Sequence, residues 1–123
     1  MNQKNLRYFE LARRTSRFSD HRHHKMGAIL INKNRVLNTG FNSVSTHPRS
    51  PNKWFSTHAE FSALLGIEAY KIRGASIYVV RSTITMPWAT SKPCNECEIF
   101  MRKMGIRRIY YIDDQNKFAT EKL

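Results

Sequence analysis

The stretch that decides the fold is PCNEC, Pro93-Cys94-Asn95-Glu96-Cys97, which holds both cysteines of the 123-residue chain. Proline is common in the first turn of a helix, so a helix is predicted to start at Pro93. Cys94 and Cys97 would then present their sulfurs on one side of that turn, where the positive helix end favours thiolates. Such a C-x-x-C pair in a cytosolic chain is more typical of a metal or redox site than of a structural disulfide.

A second stretch, THAE, offers a third metal ligand and a carboxylate at the start of another predicted helix. His58 with the two cysteines would give one imidazole and two thiolates, which leave the fourth zinc position open, as in catalytic sites. Glu60 could then carry protons to and from a water bound to the metal. Thr57 and Glu60 also match a capping box, in which Glu60 only satisfies a backbone N–H at the helix start.

Together these residues match the H-x-E…P-C-x-x-C signature of zinc nucleobase deaminases. The chain resembles the cytidine and deoxycytidylate deaminase superfamily from about residue 6 to residue 112. The resemblance implies Zn²⁺ as cofactor, with His58, Cys94 and Cys97 as its ligands and Glu60 as the proton shuttle. It also implies hydrolysis at C4 of cytosine, or at C6 of adenine, with ammonia as the leaving group.

Hydrophobic periodicity and turn residues place helices and strands around the two motifs. The predicted elements, in chain order, are a helix over 5–15, a hairpin of strands 26–31 and 35–41, a surface loop over 42–56, a helix over 57–70, a strand over 74–80, a helix from Pro93 to about Gly105, and a strand over 108–112. Residues 113–117 are too few for a helical crossover, so 118–120 are expected to pair back as an antiparallel hairpin. We therefore predict a single α/β domain over residues 1–123, a three-layer α/β/α cytidine deaminase-like fold with a mixed sheet.

The charge of the chain favours an anionic partner. Its net charge is +12, from 21 Lys and Arg against 9 Asp and Glu. This balance suits nucleic acid or a phosphorylated small molecule, and equally a solvated basic surface that binds neither. No apolar run approaches the roughly 20 residues that span a bilayer, and the first residues lack the apolar core of a secretory signal. The sequence therefore predicts a cytoplasmic protein with no membrane partner.

Four residues are candidates for substrate binding. Asn42 follows Gly40-Phe41 at the end of a predicted strand, where the resembling family has an Asn that contacts the sugar or base, and Ala59 lies between His58 and Glu60. Arg49 and Lys92 are candidates for holding a phosphate, because guanidinium and ammonium groups suit it. They belong to a set of basic loop residues that flank the predicted site, namely Arg22, Lys25, Arg49, Lys53 and Lys92.

Departures from the family pattern leave more than one substrate class open. Val44 stands where nucleoside cytidine deaminases usually have a ribose-binding Glu, which disfavours free cytidine. The predicted terminal hairpin is more similar to the cytidine deaminase and polynucleotide-editing branches than to the deoxycytidylate branch. Aromatic residues near the motifs could stack on a base or simply pack, and nearby histidines could bind a second metal or be solvated. These residues are Trp54, Phe55 and Trp88, and His21, His23, His24 and His47.

We expect the substrate to be a free pyrimidine nucleotide or nucleoside, above all a (deoxy)cytidine nucleotide such as deoxycytidylate, whose cytosine becomes uracil. One alternative is a nucleic-acid deaminase that acts on cytosine or adenine in RNA or single-stranded DNA. Another is a zinc-binding module without catalysis. We also expect a homo-oligomer, since unused apolar helix faces would permit assembly.

Overall fold

The computed structural model describes residues 2–44 and 58–123, so most of the predicted loop over 42–56 lies outside the described residues. The helices and strands, in chain order, are α1 (Gln3–Ser16), β1 (Lys25–Asn32), β2 (Arg35–Phe41), α2 (Ala59–Leu64), α3 (Ala69–Ile72), β3 (Ser76–Ser82), α4 (Asn95–Met104), β4 (Arg108–Ile112) and β5 (Phe118–Lys122). No helix within the described ranges has the length and apolar character needed to cross a membrane.

The five strands form one mixed sheet in the order β2-β1-β3-β4-β5. β3 and β4 are parallel, and every other neighbouring pair is antiparallel. The parallel pair needs a crossover, which α4 supplies. β5 returns beside β4 with Ile112 opposite Phe118, so the predicted C-terminal hairpin is confirmed.

Helices cover both faces of the sheet, as the prediction of three α/β/α layers requires. On one face, α1 buries Phe9 and Ala12 against Ile29 and Val80. On the other face lie α2, α3 and α4, whose apolar side chains form the larger core. Each fully buried Phe, Ile or Met contributes about 1.5–3 kcal/mol through removal of apolar surface from water. These two cores fix the helix positions from which the site is built.

The predicted helix over 57–70 is wrong, because it breaks at Leu65. The Leu65 backbone is extended (ψ 132°), and Gly66 has a φ of +76°. Glycine alone adopts that left-handed conformation without steric cost, so the chain turns there and a separate short helix, α3, begins at Ala69. The predicted helix start at Pro93 is also displaced, because Cys94 is the N-cap and Pro93 precedes it.

Gly40 lets α2 lie directly on β2. A Cβ atom at this position would fall 2.3 Å from the Ala63 nitrogen and 2.6 Å from the Ala59 oxygen. Both atoms belong to the backbone of α2, so neither can rotate away. Because Gly40 has no side chain, α2 packs directly on β2, and this contact sets the position of the helix that carries Glu60.

We expect Gly40→Ala to destabilise the protein by about 1–3 kcal/mol or more, because the new methyl group would push α2 off the sheet. The free energy of unfolding in urea measures this. Thr39→Ala on the same strand is the control, since the Thr39 side chain is exposed. Equal stability of the two variants would show that the contact between α2 and β2 is not tight.

Candidate active site

The structure brings His58, Cys94 and Cys97 together at the N-terminal ends of α2 and α4. Their ligand atoms all lie within 4.8 Å of one another, and no other set of three metal-ligating side chains occurs within residues 2–44 and 58–123. The His58 Nδ1 atom is 3.1 Å from the Cys97 sulfur and 4.0 Å from the Cys94 sulfur. In a tetrahedral zinc site, bond lengths of about 2.0–2.3 Å place neighbouring ligand atoms about 3.5–3.8 Å apart. The observed separations bracket that range.

Local structure explains why these side chains converge. His58 is the N-cap of α2 and makes no side-chain capping bond, which leaves its imidazole available to turn toward α4. Cys94 is the N-cap of α4, and its sulfur accepts a hydrogen bond from the Cys97 backbone N–H at 3.5 Å. The i, i+3 spacing thus puts both sulfurs at one helix end, as the sequence predicted.

Burial makes the Cys97 thiol resistant to ionisation without a metal. The Cys97 side chain is buried, whereas Cys94 is exposed. Burial, and then the nearby Glu60 and Cys94, raise the pKa of Cys97. A bound cation would act in the opposite direction, because it stabilises the thiolate.

Glu60 lies beside the three ligands with a carboxylate oxygen that has no partner. The residue is 2% exposed, and its Oε1 atom makes no hydrogen bond to any described residue. Burial raises the pKa of Glu60, while its own backbone N–H, His58 and Cys97 act in the opposite direction. His58 is the N-cap of α2, so Glu60 is the second helical residue, and the capping-box interpretation depends on Thr57, which lies outside the described residues. A buried, unpaired carboxylate is costly unless a bound group completes its contacts.

These observations fit zinc. The donors are one imidazole and two thiolates, the set typical of a zinc site with one open position. Bound there, Zn²⁺ would supply a water of lowered pKa. Glu60 lies next to Cys97, and its role as the proton carrier for that water stays a prediction.

Ser91 positions the loop that leads to Cys94, and no motif in the sequence predicts this role. Its hydroxyl donates to the Val79 carbonyl at 2.6 Å and accepts from the Ile112 N–H at 2.8 Å, while its own N–H bonds the Ile112 carbonyl at 2.9 Å. The side chain is 2% exposed. Ser91 therefore joins β3 to β4 just before Cys94; a serine three residues ahead of the first cysteine is a weak signal on its own.

We expect Ser91→Ala to lower the free energy of unfolding by about 1–3 kcal/mol, because it leaves a buried carbonyl and N–H unsatisfied. Chemical denaturation measures the loss, and the zinc content should fall with it because the Cys94 loop loosens. Ser76→Ala, at a partly exposed position on β3, is the matched control. A Ser91→Ala protein as stable as this control would contradict the assigned role.

Asn42 and Ala59 have structural roles in the described chain. The Asn42 amide accepts from the Met26 N–H and donates to the His24 carbonyl, both at 2.8 Å, and so ties the end of β2 to the start of β1. Ala59 is completely buried, side chain and backbone alike, at the start of α2. Asn42 retains one N–H and one lone pair, so substrate contact by either residue stays a prediction.

The two predicted phosphate-binding residues differ in what the structure shows. Arg49 lies outside the described residues, as do Lys53, Trp54, Phe55 and His47. Lys92 places its ammonium 3.4 Å from the Glu121 carboxylate and over the Tyr111 ring at 6.0 Å. Its contacts thus lie on β4 and β5, and a role for Lys92 in substrate binding stays a prediction.

Trp88 packs within the fold. Its ring meets Phe118 edge-on at 5.3 Å and lies under the Arg13 guanidinium at 5.5 Å. The packing interpretation of Trp88 is therefore confirmed.

Arg81 is a cation that no pattern in the sequence assigns to the site. The predicted strand ends at residue 80, whereas β3 continues through Ser82 and therefore includes Arg81. Its guanidinium donates to the Thr90 carbonyl at 2.7 Å and to His24 Nδ1 at 2.9 Å. Arg81 makes no ion pair with a carboxylate in the described part of the chain.

Comparisons with known proteins agree with this geometry. The model of the cytidine and deoxycytidylate deaminase zinc-binding region matches residues 2–113. The chain is 26% identical over 125 residues to a deoxycytidylate deaminase of Mycobacterium phage D29, which covers 85% of this chain and 90% of that protein.

Solved structures show the same fold. The dCMP deaminase of cyanophage S-TIM5 matches with a TM-score of 0.68 in its apo form, at 23% identity, covering 92% of this chain and 86% of that one. Its complex with dCMP and dUMP matches with a TM-score of 0.62, at 21% identity, covering 89% and 81%. A cytidine deaminase from Burkholderia pseudomallei also matches with a TM-score of 0.68, at 18% identity, covering 99% and 93%. Given the family match over most of its length and a His-Cys-Cys cluster beside a buried glutamate, the chain belongs to the cytidine and deoxycytidylate deaminase family and is a zinc-dependent hydrolytic deaminase.

Proposed function

We propose that the protein converts deoxycytidylate to deoxyuridylate and ammonia, with His58, Cys94 and Cys97 holding zinc. Support for a nucleotide substrate comes from the phage D29 relative, a deoxycytidylate deaminase, and from the S-TIM5 enzyme, whose structure contains dCMP and dUMP. The cytoplasmic location and the homo-oligomer stay predictions from the sequence.

Glu60 carries the chemistry of the proposal. Hydrolysis forms a bond between C4 of the cytosine and a water oxygen and breaks the bond between C4 and the amino nitrogen. Glu60 accepts a proton from the water and gives it to the departing amino group, which leaves as ammonia. The buried, unpaired Oε1 atom of Glu60 is the observation that supports this role.

Arg81 is the observation that favours a nucleotide over a nucleoside. Side chains alternate along β3, where Ile77 and Val79 join the core under α2 and α4 while Tyr78 and Val80 join the other core. The Arg81 side chain therefore starts on the face that carries α2 and α4, at the end of β3 nearest the metal ligands. A guanidinium without a carboxylate partner is suited to the 5′-phosphate of the substrate.

Measuring kcat/KM for deoxycytidylate and deoxycytidine tests the substrate class. We expect wild type to prefer the nucleotide, and Arg81→Met to lower kcat/KM for the nucleotide by about 10- to 100-fold, as for loss of one charged hydrogen bond. Turnover of deoxycytidine should not change. Lys92→Met tests the sequence-based candidate in the same assay, and Lys103→Met, an exposed position on α4, controls for net charge.

Two results would contradict the proposal. Equal kcat/KM values for the nucleoside and the nucleotide would show that the enzyme does not recognise the 5′-phosphate. Deamination confined to RNA or single-stranded DNA would show that the substrate is a nucleic acid and not a free nucleotide.

A further inference from the structure

A large polar cavity lies at the opposite end of the sheet from the metal ligands. It encloses about 720 Å³ between the first turns of α1, the turn that joins β1 to β2, and the chain entering β3. The metal ligands instead lie near the start of β1 and beyond the end of β3. The cavity is therefore a separate site, and its properties do not depend on the proposed reaction.

The charged side chains that line this cavity are all positive. Lys4, Lys33, Arg73 and Arg107 line it, and none of the described residues lining it is acidic. None of the four makes an ion pair within residues 2–44 and 58–123. Elsewhere in the described chain five cations pair with carboxylates, namely Arg13, Arg14, Lys71, Lys92 and Arg102, while others such as Arg81 and Lys103 do not, so the distinctive feature of the cavity is its concave shape and its lack of acidic side chains. Unpaired cations around one concave surface attract and hold anions.

Backbone contacts hold two of these cations at the same edge. The Gly74 N–H bonds the Gly105 carbonyl at 2.8 Å, and the Arg107 N–H bonds the Ala75 carbonyl at 2.8 Å. Arg73 and Arg107 therefore belong to two paired segments of main chain, and their positions relative to each other are fixed.

The remaining walls are also tied to one another. Asn32 donates to the Lys71 carbonyl at 2.8 Å, which joins the β1–β2 turn to α3. Lys4 donates to the Asn34 side chain, and the Tyr8 hydroxyl donates to the Asn34 carbonyl at 3.3 Å, which joins α1 to the same turn. Hydrogen bonds thus join the elements that form the cavity. A preformed cavity lowers the cost of binding, because little of the backbone has to be ordered.

Aromatic side chains complete the lining. Tyr78 and Tyr110 stack with ring centroids 4.1 Å apart and form part of the wall. Tyr70 lies at the rim with 70% of its surface exposed, and the Lys71 ammonium lies over one face of its ring at 5.8 Å, so the opposite face is the one that a base could stack on. Cations that follow a backbone and an exposed aromatic ring are the combination that binds single-stranded nucleic acid without sequence preference.

We propose that this cavity binds a short stretch of single-stranded nucleic acid. Its four cations come from separate parts of the chain, α1, the β1–β2 turn, the segment before β3 and the residue before β4, so they suit phosphates spaced along a polymer. Arg73 and Arg107 lie on two paired segments of main chain, and a guanidinium can offer bidentate donors to a phosphate. The net charge of +12 adds long-range attraction to the same polymer.

Fluorescence anisotropy with a labelled thymidine oligonucleotide of about 12 nucleotides tests this. Such a probe has neither cytosine nor adenine, so it is not a substrate of the metal site. We expect Arg73→Glu combined with Arg107→Glu to weaken binding at least about tenfold and to reduce the salt slope by about 1.4, the value for two lost phosphate contacts. Deamination of deoxycytidylate should be unchanged in this variant.

The control has the same change in net charge. Lys103→Glu combined with Lys117→Glu alters exposed residues outside the cavity and should weaken binding less than about threefold. Lys4→Glu with Lys33→Glu provides a second cavity variant in case the first does not fold. Tyr70→Ala should weaken oligonucleotide binding and leave binding of inorganic triphosphate unchanged.

Three outcomes would overturn the proposal. One is a cavity variant that weakens binding no more than the control. Another is an oligonucleotide that does not bind wild type at moderate salt. The third is a thymidine triphosphate that binds the cavity as tightly as the oligonucleotide, since the ligand would then be a free nucleotide.

Discussion

Replacing Glu60 with glutamine is expected to reduce deamination by about 10²- to 10⁴-fold while zinc stays bound, because general acid–base catalysis contributes that much. Glutamine keeps the shape of the side chain but cannot carry a proton. The Glu60 carboxylate is buried, and its Oε1 atom has no hydrogen-bond partner among the described residues. Ammonia release under saturating deoxycytidylate, together with zinc content per chain, measures both effects.

Glu68→Gln is the control for the loss of a negative charge. Glu68 is exposed and pairs with Lys71 in the next helix, away from the metal ligands. This variant should deaminate at the wild-type rate. Wild-type turnover in Glu60→Gln would show that Glu60 is not the proton shuttle, and loss of zinc from that variant would make Glu60 part of the metal site instead.

Replacing Cys97 with serine is expected to remove the bound zinc and lower the melting temperature by about 10–20 °C. Serine is a poor zinc ligand at neutral pH, because its hydroxyl does not ionise. A metal that binds the folded state with a thousandfold excess over its Kd stabilises it by about 4 kcal/mol, and a domain of this size loses a few degrees per kcal/mol. Elemental analysis and calorimetry measure the two effects, with one zinc per chain expected in wild type.

Met101→Leu is the matched control, since Met101 is fully buried on the same helix and the swap nearly preserves volume. It should keep its zinc. Retention of one zinc per chain in Cys97→Ser would rule out the ligand set of His58, Cys94 and Cys97.

Patterns along the chain predicted most of the fold. Alternation and turn residues located the hairpin of β1 and β2, and the short connection after Ile112 required β5 to be antiparallel. The break at Leu65 was not predicted, because the helical periodicity of apolar residues continues across Gly66. A single glycine inside such a pattern is not sufficient to predict a left-handed turn. Whether the helix continues or breaks at Leu65 depends on the tertiary contacts of the apolar residues on either side.

The site was predictable to the extent that its residues are close in sequence. Two motifs predicted the convergence of His58, Glu60, Cys94 and Cys97, because helix starts fix the side-chain directions. Ser91 bonds residues on β3 and β4, and Arg81 bonds Thr90 and His24, and no spacing in the sequence reveals those partners. The cavity at the other end of the sheet was missed for the same reason, since its cations come from distant parts of the chain.

Conversion of deoxycytidylate by the zinc-loaded protein, followed by the change in ultraviolet absorbance and by ammonia release, tests the central claim most directly. We predict equal amounts of deoxyuridylate and ammonia, and loss of both when a chelator removes the zinc. Absence of deoxyuridylate from a protein that carries one zinc per chain would contradict the account.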